Sequence, residues 1–292
     1  MTSARSSRYS TEHPSEPDRS PYRGRLIAVG TRHGKQHQFA PAFRAVLGAD
    51  LITPPDLDTD QFGTFTGDVS RDGPAPTAAR AKARLAMDIT GLPYGLASEA
   101  SYGPLPGGWH GHEELVLFRD DERGIEVIEG HRSLSTPGGR HLVAQAADLP
   151  DQLLGGLPGQ ALIVRSFGPD PILVKGITGT ATLVAAIAAA AERAGGLAIV
   201  EPDLRAHHNP SRRRVLTRLG DVLAHRLATG CPVCRAPGFG RVDAEPGRPC
   251  RVCETPTALT ANEIHACVAC PHRSVRPVAR RADPGSCPAC NP

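Results

Sequence analysis

Eight cysteines stand in four Cys-x-x-Cys pairs within residues 231–292, and none occurs earlier. The pairs are Cys231/Cys234, Cys250/Cys253, Cys267/Cys270 and Cys287/Cys290. Eight thiols so spaced make two tetrahedral four-sulfur sites, the arrangement a closed structural zinc needs. The stretch around them is rich in Pro, Gly and Arg and poor in large hydrophobes. A segment of that size with so thin a core needs staples. Two structural Zn2+ supply them, since each folds its ligand loops for ~10–16 kcal/mol apparent at neutral pH.

Disulfides are the alternative for eight cysteines. Met1 to Arg25 is Ser, Arg, Glu and Pro with no apolar stretch, so no secretory signal is read there. The longest small-apolar run, Ala181–Ala191, is too short to span a bilayer. The expectation is a cytoplasmic chain with no membrane partner, whose paired thiols hold metal. Sequential pairing gives sites 231/234/250/253 and 267/270/287/290. Both have ribbon-like spacing, and a cross-braced arrangement, with 231/234 joined to 267/270, is the alternative that spacing alone does not exclude. With four thiolates per metal no position stays open for catalysis.

A formal charge of +3 invites a nucleic-acid reading. Residues 231–292, however, hold eight arginines and five acids, and two tetrathiolate zincs of charge −2 each bring that segment to −1. Phe239 is its one aromatic, so the footprint of nucleic-acid binding is missing.

Ahead of the cysteines the pattern is α/β. Residues 1–24 read as a disordered polar tail and 25–230 as a mixed-sheet α/β domain. Residues 231–292 read as a double zinc-ribbon-like module of two four-cysteine sites. Strands are expected at 25–31, 50–53, 94–100, 161–167, 172–175 and 197–201, with a hairpin at 114–119/125–129. Helices are expected at 39–47, 77–90, 180–194 and 210–228, the last two capped by Thr180 and Asn209.

Ligands of α/β sheets sit at the carboxyl ends of strands, so three segments there are candidates. Thr31-Arg32-His33-Gly34-Lys35 places a hydroxyl, backbone N–H groups and an ammonium in one turn, which suits a phosphate. It lacks the first Gly of a P-loop. Lys82 falls within the apolar stripe of its helix and must either snorkel or meet an anion. Only three lysines (35, 82 and 175) accompany thirty arginines, so an inward Lys is not mere composition. Glu99, with Ser98 and Ser101 around it, leaves a buried strand and is placed to hold Mg2+ beside substrate phosphates. Asp58, Asp60 and Asp68 stand in the preceding loop. Asp203, Arg205, His207 and His208 crowd a fourth loop before the helix at Pro210, either as an anion site or as structural ion pairs and a cap. His110 and His112 read as members of an exposed Gly-rich loop.

Thr31/His33/Lys35, Ala81-Lys82-Ala83 and the acid at Glu99 make residues 25–105 similar to the inosine/xanthosine triphosphate pyrophosphatase superfamily. The resemblance implies that Lys35 and Lys82 hold phosphates and that Glu99 serves a Mg2+-dependent hydrolysis. A second resemblance covers nearly the whole chain. Phe62-Gly63-Thr64-Phe65, Ser98-Glu99, Asp203-x-Arg205-Ala206-His207-x-Asn209-Pro210 and the eight cysteines look like an uncharacterised bacterial family of unknown function. The expectation is a zinc-binding protein whose α/β domain takes a phosphate-bearing, nucleotide-like small molecule, with Glu99 catalytic and Thr31, His33, Lys35, Lys82, Arg205 and His207 on the phosphate. The alternative is a non-catalytic adaptor whose ribbons bind a protein or nucleic acid.

Overall fold

A computed structural model describes residues 20–55, 57–62, 73–104, 108–134, 138–168 and 173–292. The expected Phe62–Phe65 motif falls largely outside them, as do Asp68 and the side chain of Asp60.

The first sheet is mixed, as its strand and helix alternation predicts. Its order is β2 (Asp50–Ile52), β1 (Leu26–Gly30), β3 (Tyr94–Pro104), β4 (His110–Asp120), β5 (Ile125–Ser133). β1 pairs in parallel with both β2 and β3, while β3, β4 and β5 form an antiparallel meander. α1 (Gln36–Ala42) runs straight into a π-helical turn, Phe43–Leu47, and ends at Gly48 in the left-handed region. α2 (Ala75–Thr90) packs on the opposite face and ends at Gly91, also left-handed. With α1 on one face and α2 on the other, the crossovers diverge between β1 and β3, the position where α/β sheets bind ligands.

A second sheet, not separated from the first by the sequence pattern, has the order β6 (His141–Val143), β9 (Ala198–Pro202), β7 (Leu162–Arg165), β8 (Leu173–Ile177). It has its own core, in which α4 (Thr180–Arg193) buries Leu183, Ile187 and Ala190 against Leu162, Val164 and Val200. A short α3 (Asp151–Leu154) closes one end through Leu153. The cap of α4 is Gly179, and Thr180 is its first helical residue, a one-position correction to the expected cap. Of the strand expected at 172–175, residue 172 lies outside the described residues.

α5 (Pro210–Ala228) follows the second sheet and returns to the first. Asn209 caps it, its side chain accepting from the Arg212 N–H at 3.1 Å, and Pro210 takes the first turn as its fixed φ allows. Leu216, Leu219, Leu223 and Leu227 bury one face of α5 in the first core with Phe39, Phe43, Leu96 and Phe118. That core also swallows Tyr22. Its ring packs edge-on against Tyr94 and Phe118, and its hydroxyl donates to buried Asp120 at 3.0 Å. Residues 20–24 therefore belong to the fold and not to a disordered tail; a lone aromatic among polar neighbours hides this in the sequence.

Residues after α5 form a three-stranded antiparallel sheet, β10 (Gly240–Pro246), β11 (Thr260–Ala266) and β12 (Arg273–Pro277). Its strands connect the cysteine knuckles. Among the described residues no helix is long and apolar enough to cross a membrane.

Candidate metal centres and a buried polar site

The cysteines converge on two groups, Cys231/Cys234/Cys267/Cys270 and Cys250/Cys253/Cys287/Cys290. The pairing is cross-braced; sequential pairing, the other arrangement the spacing allows, is not adopted. The cause is the antiparallel pairing of β10 with β11, which folds the third knuckle back onto the first. Sγ atoms approach to 3.8 Å (231–270) and 3.5 Å (234–267) in one group, and 4.0 Å (250–290) and 3.5 Å (253–287) in the other. A tetrahedral ion with bonds of about 2.3 Å sets sulfurs about 3.8 Å apart, so both groups fit one metal each. Backbone N–H groups of Val252 and Ala269 donate to Cys250 Sγ and Cys267 Sγ, at 3.5 and 3.3 Å. Such bonds stabilise thiolate over thiol.

Two knuckles turn through Arg235 (φ 65°) and Glu254 (φ 63°), the two non-glycine residues with positive φ among those described. Their N–H groups close the turns onto the carbonyls of Cys231 and Cys250. Glycine holds this conformation without the Cβ clash that burdens other residues. Arg235→Gly and Glu254→Gly should each stabilise the metal-loaded protein by about 0.5–1 kcal/mol, after the entropy glycine adds to the unfolded chain is deducted. The Glu254–Arg281 pair lost in the second is exposed and worth little. Chemical denaturation checks this, and a loss in both variants would refute the turn argument.

The two knuckle groups sit differently. Gly238, beside the first, lies so close to β5 that an added Cβ would be 2.8 Å from Val127 Cγ2. Val268, between Cys267 and Cys270, packs on the first core. Arg226 of α5 donates to the Gly238 carbonyl at 3.0 Å and to Glu129 at 2.7 Å. Around the second group the bonds stay within the module: Cys250 bridges Ala282, Arg251 pairs with Asp283, and Arg281 with Glu254.

The candidate residues of the α/β domain gather at the end of β1. Gly30 pairs with Ala97, so Ser98 and Glu99 lie just beyond the strand's end. β1 and α2 touch backbone to backbone here, for a Cβ on Gly30 would strike the Lys82 carbonyl. That approach delivers Lys82 to Glu99. The two are buried and directly ion-paired, so the inward Lys meets an anion rather than snorkelling. Lys35 reaches the same strand from the other side, donating to the Ser98 carbonyl at 3.2 Å and hydroxyl at 3.1 Å. Burial, with Arg212 nearby, lowers its pKa to about 8, against the opposing pull of Glu114 and Glu99.

Pleat alternation separates two faces. Glu99 shares its face with Ala97, Leu115 and Leu117, which pack on α2. On the face toward α5 are Ser98, Ala100 and Tyr102, opposite Val116, Glu114 and His112. There Arg212 forks onto Glu114 through two bonds of 2.8 Å, both residues being fully buried. Arg212 also donates to the Leu204 carbonyl, and His112 sits 3.2 Å from Glu114. Burial alone would raise the Glu114 carboxyl; Arg212, with His112 and Lys35, brings it down to about 2. Tyr102 stacks on His112 with centroids 4.5 Å apart, and burial pushes its hydroxyl up to about 12. His112 is thus a buried residue of β4, not part of an exposed loop; Gly108, Trp109 and His110 are the exposed residues there.

Other candidates take outer positions. Thr31 is buried, and its hydroxyl accepts from the His33 N–H at 3.3 Å. His33 packs on His207, centroids 4.7 Å apart, and so brings the loop after β9 up to the loop after β1. Desolvation, with His208, His33 and Arg205 nearby, lowers the pKa of His207. Arg205 is held by buried Asp203 at 2.6 Å, which also accepts from the Gly176 N–H. Asp58 pairs with Arg32 at 3.3 Å. A cavity of about 430 Å³ opens at the ends of β1 and β2, lined by Thr31, Arg32, Thr53, Pro54, Leu57 and Asp58.

Sequence reasoning missed Tyr102, Glu114 and Arg212. Glu114 and Arg212 are 98 positions apart, and nothing local to either marks its partner. One signal was available: Arg212 is in the first turn of a helix, where a cation is unfavourable unless an acid meets it.

Fold and sites define an α/β protein with two α/β sheets that carries a cross-braced pair of four-cysteine groups able to hold metal. A family model, Domain of unknown function (DUF6671), matches residues 82–292, and the chain belongs to that family. The match begins at Lys82 and includes Glu99, Glu114, Arg212 and every cysteine, while the Thr31–Lys35 loop precedes it. No curated protein matches the chain.

Proposed function

We propose that the α/β domain binds a phosphate-bearing, nucleotide-like small molecule at the end of β1 and hydrolyses it with Mg2+, and that zinc fills both four-cysteine groups in a structural role. The observation that carries this is the approach of Lys35 and Lys82, from opposite faces of the sheet, to two adjacent residues of β3, Ser98 and Glu99. Phosphate oxygens drawn to Lys82 and Lys35 would release Glu99 from its ion pair. A freed carboxylate at a strand end then holds Mg2+ through one or two oxygens. Thr31 and His33 border the phosphate, His207 and Arg205 face it from the second core, and the cavity beside Thr31 and Thr53 receives the remainder of the ligand.

A nucleotide panel with zinc-loaded protein, with and without Mg2+, tests this by phosphate and pyrophosphate release. Release is expected from some triphosphates and should fall at least ~100-fold in folded Glu99→Gln, as loss of one group acting on the transition state requires. Silence across canonical and deaminated nucleotides would reject hydrolysis. Affinity should also drop as pH rises through about 8, where Lys35 loses its proton; an ordinary lysine would keep binding to about pH 10.

The adaptor reading has one observation in its favour. Val233 and Val252, at corresponding positions in two knuckles, are 66% and 68% exposed. Apolar tips on a rigid metal knuckle suit docking to a protein partner, and nucleic acid has less support there.

A further inference from the structure

Two buried cations, Lys82 and Arg212, and half-buried Lys35 stand among two buried carboxylates at the site just described. Glu99 is taken by Lys82 and Glu114 by the fork of Arg212. Lys35 has only the two oxygens of Ser98, both uncharged. Among the described residues the cluster therefore keeps one positive charge without a carboxylate partner and partly withdrawn from water, an arrangement an anion would relieve.

A second group on the α5 face is also incomplete. Asn209 is fully buried, and its Oδ1 is used twice, by the Arg212 N–H and by the Ser211 hydroxyl at 2.7 Å. Its Nδ2 has no hydrogen-bond partner. Because Oδ1 faces the helix, Nδ2 points away from it, toward the Tyr102 hydroxyl but without a formed hydrogen bond to it. Tyr102 remains a protonated donor at neutral pH. The amino end of a 19-residue helix lies behind both, with the partial positive charge of its dipole. Ser98, which holds Lys35, and Tyr102 lie on one face of β3 with Glu114 of β4 opposite the residue between them, so Lys35 and Tyr102 flank the Glu114–Arg212 pair.

We propose that the amino end of α5 is an oxyanion subsite, in which a phosphate or carboxylate oxygen accepts from Asn209 Nδ2 and the Tyr102 hydroxyl while its charge balances Lys35. This rests on the preceding reading only in taking the ligand to be anionic; it needs no Mg2+ and no reaction. It assigns Asn209, beyond its role as a helix cap, to ligand binding.

The test titrates the metal-loaded full chain calorimetrically at pH 7 with inorganic phosphate and, separately, with acetate, each with and without Mg2+. Saturable binding without Mg2+ is expected, and comparing the two anions identifies the group the subsite takes. Asn209→Ser keeps a side-chain cap but removes the amide, and should weaken binding ~10-fold or more, the worth of a hydrogen bond to a charged group. Asn209→Asp keeps the cap and puts a carboxylate where the anion would sit, so binding should vanish. Tyr102→Phe should weaken it severalfold, and keeps the subsite testable if either Asn209 variant fails to fold by its melting curve. Undiminished binding in folded Asn209→Ser and Asn209→Asp would overturn the subsite. So would binding that appears only with Mg2+, or no binding of either anion. A Mg2+-dependent hydrolysis lost in Glu99→Gln would survive each of those results, so the two proposals fail separately.

Discussion

Cys234→Ser should unfold much of the α/β domain, whereas Cys253→Ser should leave it standing with one metal per chain. Both substitutions remove one thiolate of four from chemically equal sites, so a purely local view predicts equal damage. The surroundings differ. The 231/234/267/270 group follows directly on α5, and its knuckles carry Gly238 against Val127 and Val268 against the first core. Arg226 ties the same segment to α5 and to Glu129 of β5. Loss of that metal frees those contacts and exposes the apolar surface of β5 and α5. Structural zinc contributes ~10 kcal/mol or more, as much as the whole stability of a typical domain. The 250/253/287/290 group is braced by Arg251–Asp283, Arg281–Glu254 and the Cys250–Ala282 bridge, all inside the module. Its loss should loosen residues 248–259 and 278–292 alone. Calorimetric melting combined with metal counting by native mass spectrometry decides the matter. Equal loss of α/β melting temperature in the two variants would show that the sites are not ranked as their packing implies.

The same contrast marks how far the sequence could be read. Which residues could hold metal was evident, because Cys-x-x-Cys is a local pattern and a four-sulfur site has few other uses. Which pair joins which was not. Both linkers are nearly equal, and the answer lies in the β10–β11 register, a long-range fact. Lys82 was legible because helical periodicity is local and put a charge in an apolar stripe. Its anion, Glu99, was identified separately as a strand-end acid, and the structure joins the two. The second sheet was not distinguished, since periodicity locates strands without saying which strands pair. Tyr22 and His112 were read as exposed from polar neighbours, yet a single buried acid claims each: Asp120 for Tyr22 and Glu114 for His112.

Arg212→Met is expected to be the most damaging single substitution outside the cysteines. It leaves Glu114 buried without its fork, and breaking such a pair from one side costs ~3–5 kcal/mol. Glu114→Gln should cost less, since a neutral amide still accepts from Arg212 and His112, but it leaves Arg212 and Lys35 without their nearer acid. The double replacement Glu114→Leu/Arg212→Met removes both charges and should recover much of the loss. If the pair contributed through packing alone, the double variant would instead be the worst of the three. The pH dependence carries the same signature. Glu114 is held at about 2 in the fold, below the ~4.3 of an unfolded glutamate. A depressed carboxylate contributes stability that is present above the unfolded pKa and lost as pH falls through the folded one. Wild-type protein should therefore lose stability between about pH 4.5 and 2, and the Leu/Met variant should lose less across that interval. Urea midpoints measured at steps of pH settle this. A parallel acid decline in both proteins would place the sensitivity elsewhere, with the other buried carboxylates Asp120, Asp203 and Glu99 the next to test.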